Sequence, residues 1–201
     1  MRQGGYAVVS GLLPPQVLAA LQREAQTQRH LAQDVCVRGS APINEAQRGG
    51  SPARKLLSAP GAAVQQALYA DPRLARTLST LTGLPVAPTA SEAGGSFSYY
   101  CRPGDFLSIH RDIVSCDVAL ITCLQETGSI GGAGKLCLYP TRLWEPLSEL
   151  RNEPLRGATP IRLSPGHSAV VLGGVVPHCT LPVAAAQCRV VSLLCYRALL
   201  S

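Results

Sequence analysis

The sequence predicts an α+β chain, mainly β, in which helices from the first half pack on a β core built by the second. Three observations predict it. Up to residue 90, short strand signals alternate with helical ones. From residue 91 onward, strand-like runs follow one another between glycine and proline turns, the pattern of a sandwich or barrel. Finally, 201 residues can bury one hydrophobic core and not comfortably two. A single domain over 1–201 is therefore expected, with helical support in 1–90 and the β core in 91–201.

GYAVVSG reads as the opening strand, and Pro14 and Pro15 then stand where a first helical turn tolerates proline. Val17, Leu18 and Leu21 supply the apolar stripe of that helix. Residues 32–52, with Gly39, Pro42, Gly49, Gly50 and Pro52, lack periodicity and read as a loop. Two helices are predicted next, around Ala62–Tyr69 and Pro72–Thr82, with Asp71 as the cap of the second and Gly83 as its stop. The strands SFSYYC, DFLSIHRD, CDVALITCLQ, KLCLYP, HSAVVLG, HCTLPV and RVVSLLCYRAL follow in order. WEPLSELRNEPLRGAT interrupts them as a loop with a helical turn or a lid.

A hydrophobic fraction of 46% with 15% charged residues suits a packed globular chain. Eighteen basic residues against twelve acidic give +6, but the arginines are scattered and aromatics are only 4%, which argues against a nucleic-acid partner. That field suits anionic small molecules such as a dicarboxylate. The eight cysteines contain no Cys-x-x-Cys pair, several lie in apolar runs, and MRQGGYAVV lacks a cleavable apolar core. A reduced, cytoplasmic chain is expected, its thiols acting as small hydrophobes. No apolar stretch reaches the roughly 18 residues of a membrane span, so no membrane partner is expected.

His110 and Asp112 stand two residues apart at the end of a strand-like run. Alternate strand residues share a face, so both side chains can reach one ion. A His-x-Asp triplet alone is weak evidence, because a surface pair gives the same pattern.

The surroundings add specificity. YYCRPGDFLSIHRD resembles the Tyr, Pro-Gly-Asp and His-x-Asp strand of the prolyl-4-hydroxylase-like branch of the Fe(II)/2-oxoglutarate-dependent dioxygenase superfamily, and VPHCTLPVAAAQCRVVSLLCYR is similar to its distal histidine and the basic residue on the next strand. ALITCLQETGSIGGAGKLCLYP, LSPGHSAVVLGG and GYAVVSGLLPPQVLAAL resemble further segments of that branch, so five ordered motifs span most of residues 5–198.

The resemblance implies a double-stranded β-helix (jelly-roll, cupin-like) core flanked by N-terminal helices. It implies His110, Asp112 and His178 as ligands of Fe(II), with 2-oxoglutarate and O2 as cosubstrates and ascorbate as a stimulant. Two imidazoles and a carboxylate on one face of a six-coordinate iron leave three positions open, the arrangement of non-haem iron oxygenases. The far carboxylate of the cosubstrate needs a fixed cation. Arg189, eleven residues beyond His178, can grip it with two parallel hydrogen bonds. Lys135 is the second choice for that role, and Tyr100 resembles the family tyrosine that assists it. Ser192, three residues past Arg189, departs from the Arg-x-Ser pattern of some relatives and should face away.

The resemblance further implies oxidation of an unactivated C–H bond with release of succinate and CO2. Asp112, replaced by a small residue in halogenase relatives, argues for hydroxylation, desaturation or ring formation. Small size favours a small-molecule substrate such as an amino acid or a secondary metabolite. The alternatives are a protein or peptidyl hydroxylase of the same fold, a non-catalytic cupin-like metal sensor, and a zinc hydrolase. His167 reads as a solvated loop residue and His30 as a helix C-terminal cap. Tyr99, Arg102, Arg111 and Trp144 are further pocket candidates that no pattern selects.

Overall fold

The computed structural model describes residues 4–40, 48–89, 95–128 and 131–199. Strand β1 (Tyr6–Ser10) leads into α1 (Pro15–Gln28), then β2 (Gln33–Val37) and β3 (Arg54–Pro60). Helices α2 (Ala63–Tyr69) and α3 (Pro72–Thr82) follow, then β4 (Val86–Pro88), β5 (Gly95–Tyr100), β6 (Phe106–His110) and β7 (Val118–Thr127). The chain ends with β8 (Leu136–Leu138), α4 (Leu147–Asn152), β9 (Thr159–Ile161), β10 (His167–Val171), β11 (His178–Thr180) and β12 (Cys188–Ala198).

The local signals act as expected in α3. The Asp71 carboxylate accepts from the Arg73 amide at 2.8 Å, capping the first turn, and Gly83 ends the helix at φ 74°, where a side chain would be strained.

The strands form one antiparallel network in the order β1-β10-β7-β12-β5-β3-β6-β11-β8-β9, with β2 on β3 and β4 on β12. β3 pairs with both β5 and β6, which joins the two halves of the sheet. Inward residues from both halves then share one core, including Leu56, Tyr100, Ile121, Leu138, Val171 and Val191. This is the expected mainly β jelly-roll, a double-stranded β-helix with helices outside it. Alternation explains how: along β7, Ala119, Ile121 and Cys123 point in, while Val118, Leu120 and Leu124 point out toward the helices. Both faces are covered, hence the unbroken apolar run. α1 buries Leu21 and Ala25 against Phe97, Tyr99 and Val190, and α3 buries Leu74 and Leu78 against Val118 and Tyr196. α4 closes the other half, with Leu147 and Leu150 on Ile109, Cys137 and Cys179.

Two expectations need correction. Residues 33–37, read as loop, form β2, and the pairing with β3 that fixes them is a long-range contact their own sequence does not display. Residues 41–47 of that predicted loop, Pro42 included, lie outside the described residues. The reduced chain is also wrong in part, because Cys101–Cys188 and Cys116–Cys195 are disulfides. Both link residues brought together by sheet pairing, 87 and 79 positions apart in sequence, so spacing could not show them. The cytoplasmic expectation rested in part on free thiols and loses that part of its support. Among the described residues, no helix is long and apolar enough to cross a membrane.

Thiol titration in denaturant checks the pairing. Of eight cysteines, Cys36, Cys123, Cys137 and Cys179 are free, so four thiols are expected before reduction and eight after it. Eight before reduction would contradict the pairing. Bridges closing loops this long each stabilise by about 2–4 kcal/mol, so reduction should lower the thermal midpoint markedly.

Candidate metal centre

β6 and β11 are antiparallel neighbours in which His110 and His178 are direct partners. Their imidazoles therefore lie side by side, with ring centroids 4.3 Å apart. His110 Nδ1 faces the Ser108 carbonyl at 2.9 Å and His178 Nδ1 faces the Val176 carbonyl at 2.9 Å. A carbonyl only accepts, so each Nδ1 carries the proton and each Nε2 keeps a lone pair. Burial holds the His178 imidazole below its ordinary range, reinforced by the neighbouring His110 and opposed by Asp112. His178 is thus neutral near pH 7, the form that binds a metal.

Asp112 completes the group, with Oδ1 3.5 Å from His110 Nε2 and 3.7 Å from His178 Nε2. All three ligand atoms lie within 4.8 Å of one another. Asp112 reaches this position differently from the expectation. β6 ends at His110, and Asp112 sits in irregular chain tied to another strand end, its amide donating to the Gly173 carbonyl at 2.8 Å. Burial raises the pull toward the neutral acid, but His178, His110 and Arg48 outweigh it and hold the carboxyl below its ordinary range. Asp112 Oδ2 is buried without a hydrogen-bond partner. A buried carboxylate oxygen left unpaired is costly and points to a missing cation.

Gly173 and Gly174 were not singled out as functional by the sequence, although LSPGHSAVVLGG contains them. A Cβ on Gly173 would stand 1.8 Å from Asp112 Oδ2, so only glycine lets the carboxylate lie there. A Cβ on Gly174 would stand 1.6 Å from Arg48 Nη1. Arg48 in turn pairs with Asp117 at 2.6 Å and lends its charge to Asp112. No sequence signal marked Arg48, which lies in an aperiodic stretch.

His110 and Asp112 border a cavity of about 460 Å³, which Tyr100, Leu107 and Leu193 also line, with the Cys116–Cys195 bridge at its edge. Arg189 lies opposite Tyr100 across the β12–β5 pair. It points into the barrel, since Val191, Leu193 and Cys195 share its face and join the interior cluster, whereas Val190 and Leu194 face the helices. Arg189 is 2% exposed, donates from Nη1 to the Gly134 carbonyl, and leaves Nε unpartnered. It has no carboxylate partner among the described residues. Burial raises the Tyr100 phenol above its ordinary range, against hydrogen bonding with Thr180 and Ser98 and the charge of Arg189.

The other candidates separate clearly. Lys135 has the parity of Cys137, which packs on α4, so it faces away from the interior where Leu136 and Leu138 point. Ser192 faces away from the cavity as expected, accepting from Gln65 Nε2 at 2.7 Å. Tyr99 donates to the Ala25 carbonyl on the outer face at 2.6 Å, and Arg102 is held by Asp34 at 2.7 Å and Asp105 at 3.1 Å. Arg111 lines the cavity, and Trp144 is exposed. His30 is exposed beside the Thr27 carbonyl at the end of α1, and His167 is half-buried as the first residue of β10. The Trp144–Thr159 segment contains the short helix α4.

No family model matches the sequence, and no curated protein matches it. Solved structures match over nearly the whole chain. A prolyl-4-hydroxylase from Pseudomonas putida superposes with a TM-score of 0.59 at 20% identity, covering 97% of this chain and 93% of that one. SnoN, a non-heme alpha ketoglutarate dependent epimerase from nogalamycin biosynthesis, gives 0.72 at 16% identity, with 98% and 77% covered. HygX from Streptomyces hygroscopicus, solved with nickel and 2-oxoglutarate bound, gives 0.67 at 12% identity, with 98% and 84% covered. The chain therefore has the fold of the Fe(II)/2-oxoglutarate-dependent oxygenases.

Proposed function

We propose that this chain is an iron(II)- and 2-oxoglutarate-dependent oxygenase acting as a single domain over 1–201, with His110, Asp112 and His178 as the metal ligands. One observation carries the reading. Two Nε2 lone pairs and the carboxylate oxygen Oδ1 of Asp112 converge beside a cavity of ligand size. These residues fit a six-coordinate iron(II) that keeps open positions for a keto acid and O2. Nickel and 2-oxoglutarate in the similar HygX support the same pair of ligands.

Arg189 holds the far carboxylate of 2-oxoglutarate. A guanidinium buried in the barrel without an anion is poorly compensated, and a carboxylate supplies what it lacks. Tyr100, opposite it, assists from its hydroxyl. Bound iron(II) with 2-oxoglutarate and O2 supplies the oxidising power for an unactivated C–H bond, with release of succinate and CO2. The chain's part is geometric: the two carbonyl-anchored imidazoles fix the ligand face, and the barrel's apolar wall excludes water. The substrate is a small molecule. The hygromycin B bound in a HygX structure supports that choice over a peptide.

The test is succinate formation from 2-oxoglutarate by protein supplied with iron(II), ascorbate and air. An oxygenase forms succinate even when uncoupled, whereas a metal sensor or a zinc hydrolase forms none. Arg189→Gln should raise the KM for 2-oxoglutarate about a hundredfold, the equivalent of roughly 3 kcal/mol for a lost charge-assisted contact, with metal affinity little changed. An unaltered KM would remove Arg189 from the cosubstrate site.

A further inference from the structure

A second cavity of about 650 Å³ adjoins the metal-bordered one, and Ser51 and Arg111 form part of the wall of both. Its lining is strongly one-sided in charge. Arg38, Arg111 and Arg151 line it, with hydroxyls such as Ser40 and Ser148 between them, and no acidic residue does among the described residues. Two of these arginines are held in place without being neutralised. Arg151 donates Nε and Nη2 to the Ile109 carbonyl, and Arg111 donates Nε to the Val175 carbonyl and Nη2 to those of Leu143 and Glu145. Each retains Nη1 without a protein partner among the described residues, and neither forms an ion pair there. Burial pulls the Arg151 guanidinium below its ordinary range.

Arg48 on Asp117, Arg73 on Asp71, Arg102 on Asp34 and Asp105, and Arg142 on Glu145 are ion-paired, whereas Arg111 and Arg151 rest on carbonyls alone. Guanidinium groups with fixed free edges and adjacent hydroxyls recognise oxyanions by paired N–H donors. Arg111 lines both this cavity and the one that His110 and Asp112 border, so it joins the two.

We infer that this cavity binds an oxyanion carried by the primary substrate, a phosphate or a carboxylate, and that the rest of that substrate extends past Arg111 into the metal-bordered cavity. The inference rests on the oxygenase reading for the identity of the substrate, but not for the anion site itself. The substrate class is then an anionic small molecule, anchored by charge at one end and oxidised at the other.

Calorimetric titration of protein loaded with manganese(II) and saturating 2-oxoglutarate tests it, with inorganic phosphate and acetate as probes. One saturable site is expected. Arg38→Glu should weaken it at least tenfold, and Arg151→Gln likewise, while Arg76→Glu on the distant α3 leaves it unchanged. Arg38 is exposed, so its substitution does not threaten folding. Tighter phosphate than acetate indicates a phosphate-bearing substrate, and the reverse a carboxylate. The inference is overturned if neither anion binds saturably, or if Arg76→Glu weakens binding as much as Arg38→Glu. Succinate formation by the unaltered protein is measured alongside. Succinate without anion binding removes this inference alone, and anion binding without succinate removes the oxygenase reading while supporting the anion site.

Discussion

Asp112→Ala is expected to reduce succinate formation to background and to abolish metal binding, while leaving the metal-free protein folded but modestly less stable than its parent. The first half follows from the ligand count. Two imidazoles without the carboxylate leave iron(II) an incomplete ligand face, so neither metal nor keto acid is held in place. His110→Ala and His178→Ala should fail in the same way. The second half follows from electrostatics. Asp112 is ionised and mostly buried, and His178, His110 and Arg48 together outweigh its desolvation, so the carboxylate contributes stability to the metal-free fold near pH 7. Removing it forfeits that contribution. Thermal unfolding with and without manganese(II) checks both halves: the metal-induced rise in midpoint vanishes in the variant, and its metal-free midpoint falls modestly. Retained succinate formation in any of the three variants would remove that residue from the ligand set.

Gly173→Ala is expected to be nearly as damaging although residue 173 ligates nothing. The added methyl would stand 1.8 Å from Asp112 Oδ2, and the Gly173 carbonyl also holds the Asp112 amide. The carboxylate must swing away, since the conflict lies at the end of a movable side chain and the backbone keeps its hydrogen bond. Metal affinity should fall by at least the roughly 10–100-fold typical of lost outer-shell support, with the metal-free fold preserved. Gly132→Ala is the control, because nothing lies within 4 Å of a Cβ there. Metal titrations of both variants by equilibrium dialysis give the comparison. Equal affinities would show that Asp112 is not seated by Gly173.

The two histidines were legible through the family-like motifs around them, whereas the pairing of β6 with β11 that sets His110 against His178 is visible only in the fold. Asp112 was legible as a residue but not as a geometry. Its position depends on a hydrogen bond to the far end of β10, a contact between segments some sixty positions apart that local periodicity does not encode. The same limit hid β2, the two disulfides and Arg48, all of which are defined by partners distant in sequence. Arg189 and Lys135 were both plausible cosubstrate cations by sequence, and strand parity separates them once the sheet is closed. α3 was fully readable, because Asp71 and Pro72 act within its first turn and Gly83 directly after its last. Gly173 carried a signal in its glycine pair, but a glycine pair after a strand reads as a turn until the carboxylate it accommodates is in view.

The central claim is that His110, Asp112 and His178 hold iron(II) in a way that leaves room for 2-oxoglutarate. Anaerobic addition of iron(II) and then 2-oxoglutarate to the metal-free protein tests it most directly, read as the visible charge-transfer absorption of the chelate. The account predicts that the band appears at one equivalent of iron, requires the keto acid, and is absent in Asp112→Ala. A colourless solution with the metal shown to be bound, or a band of equal strength in Asp112→Ala, would contradict it.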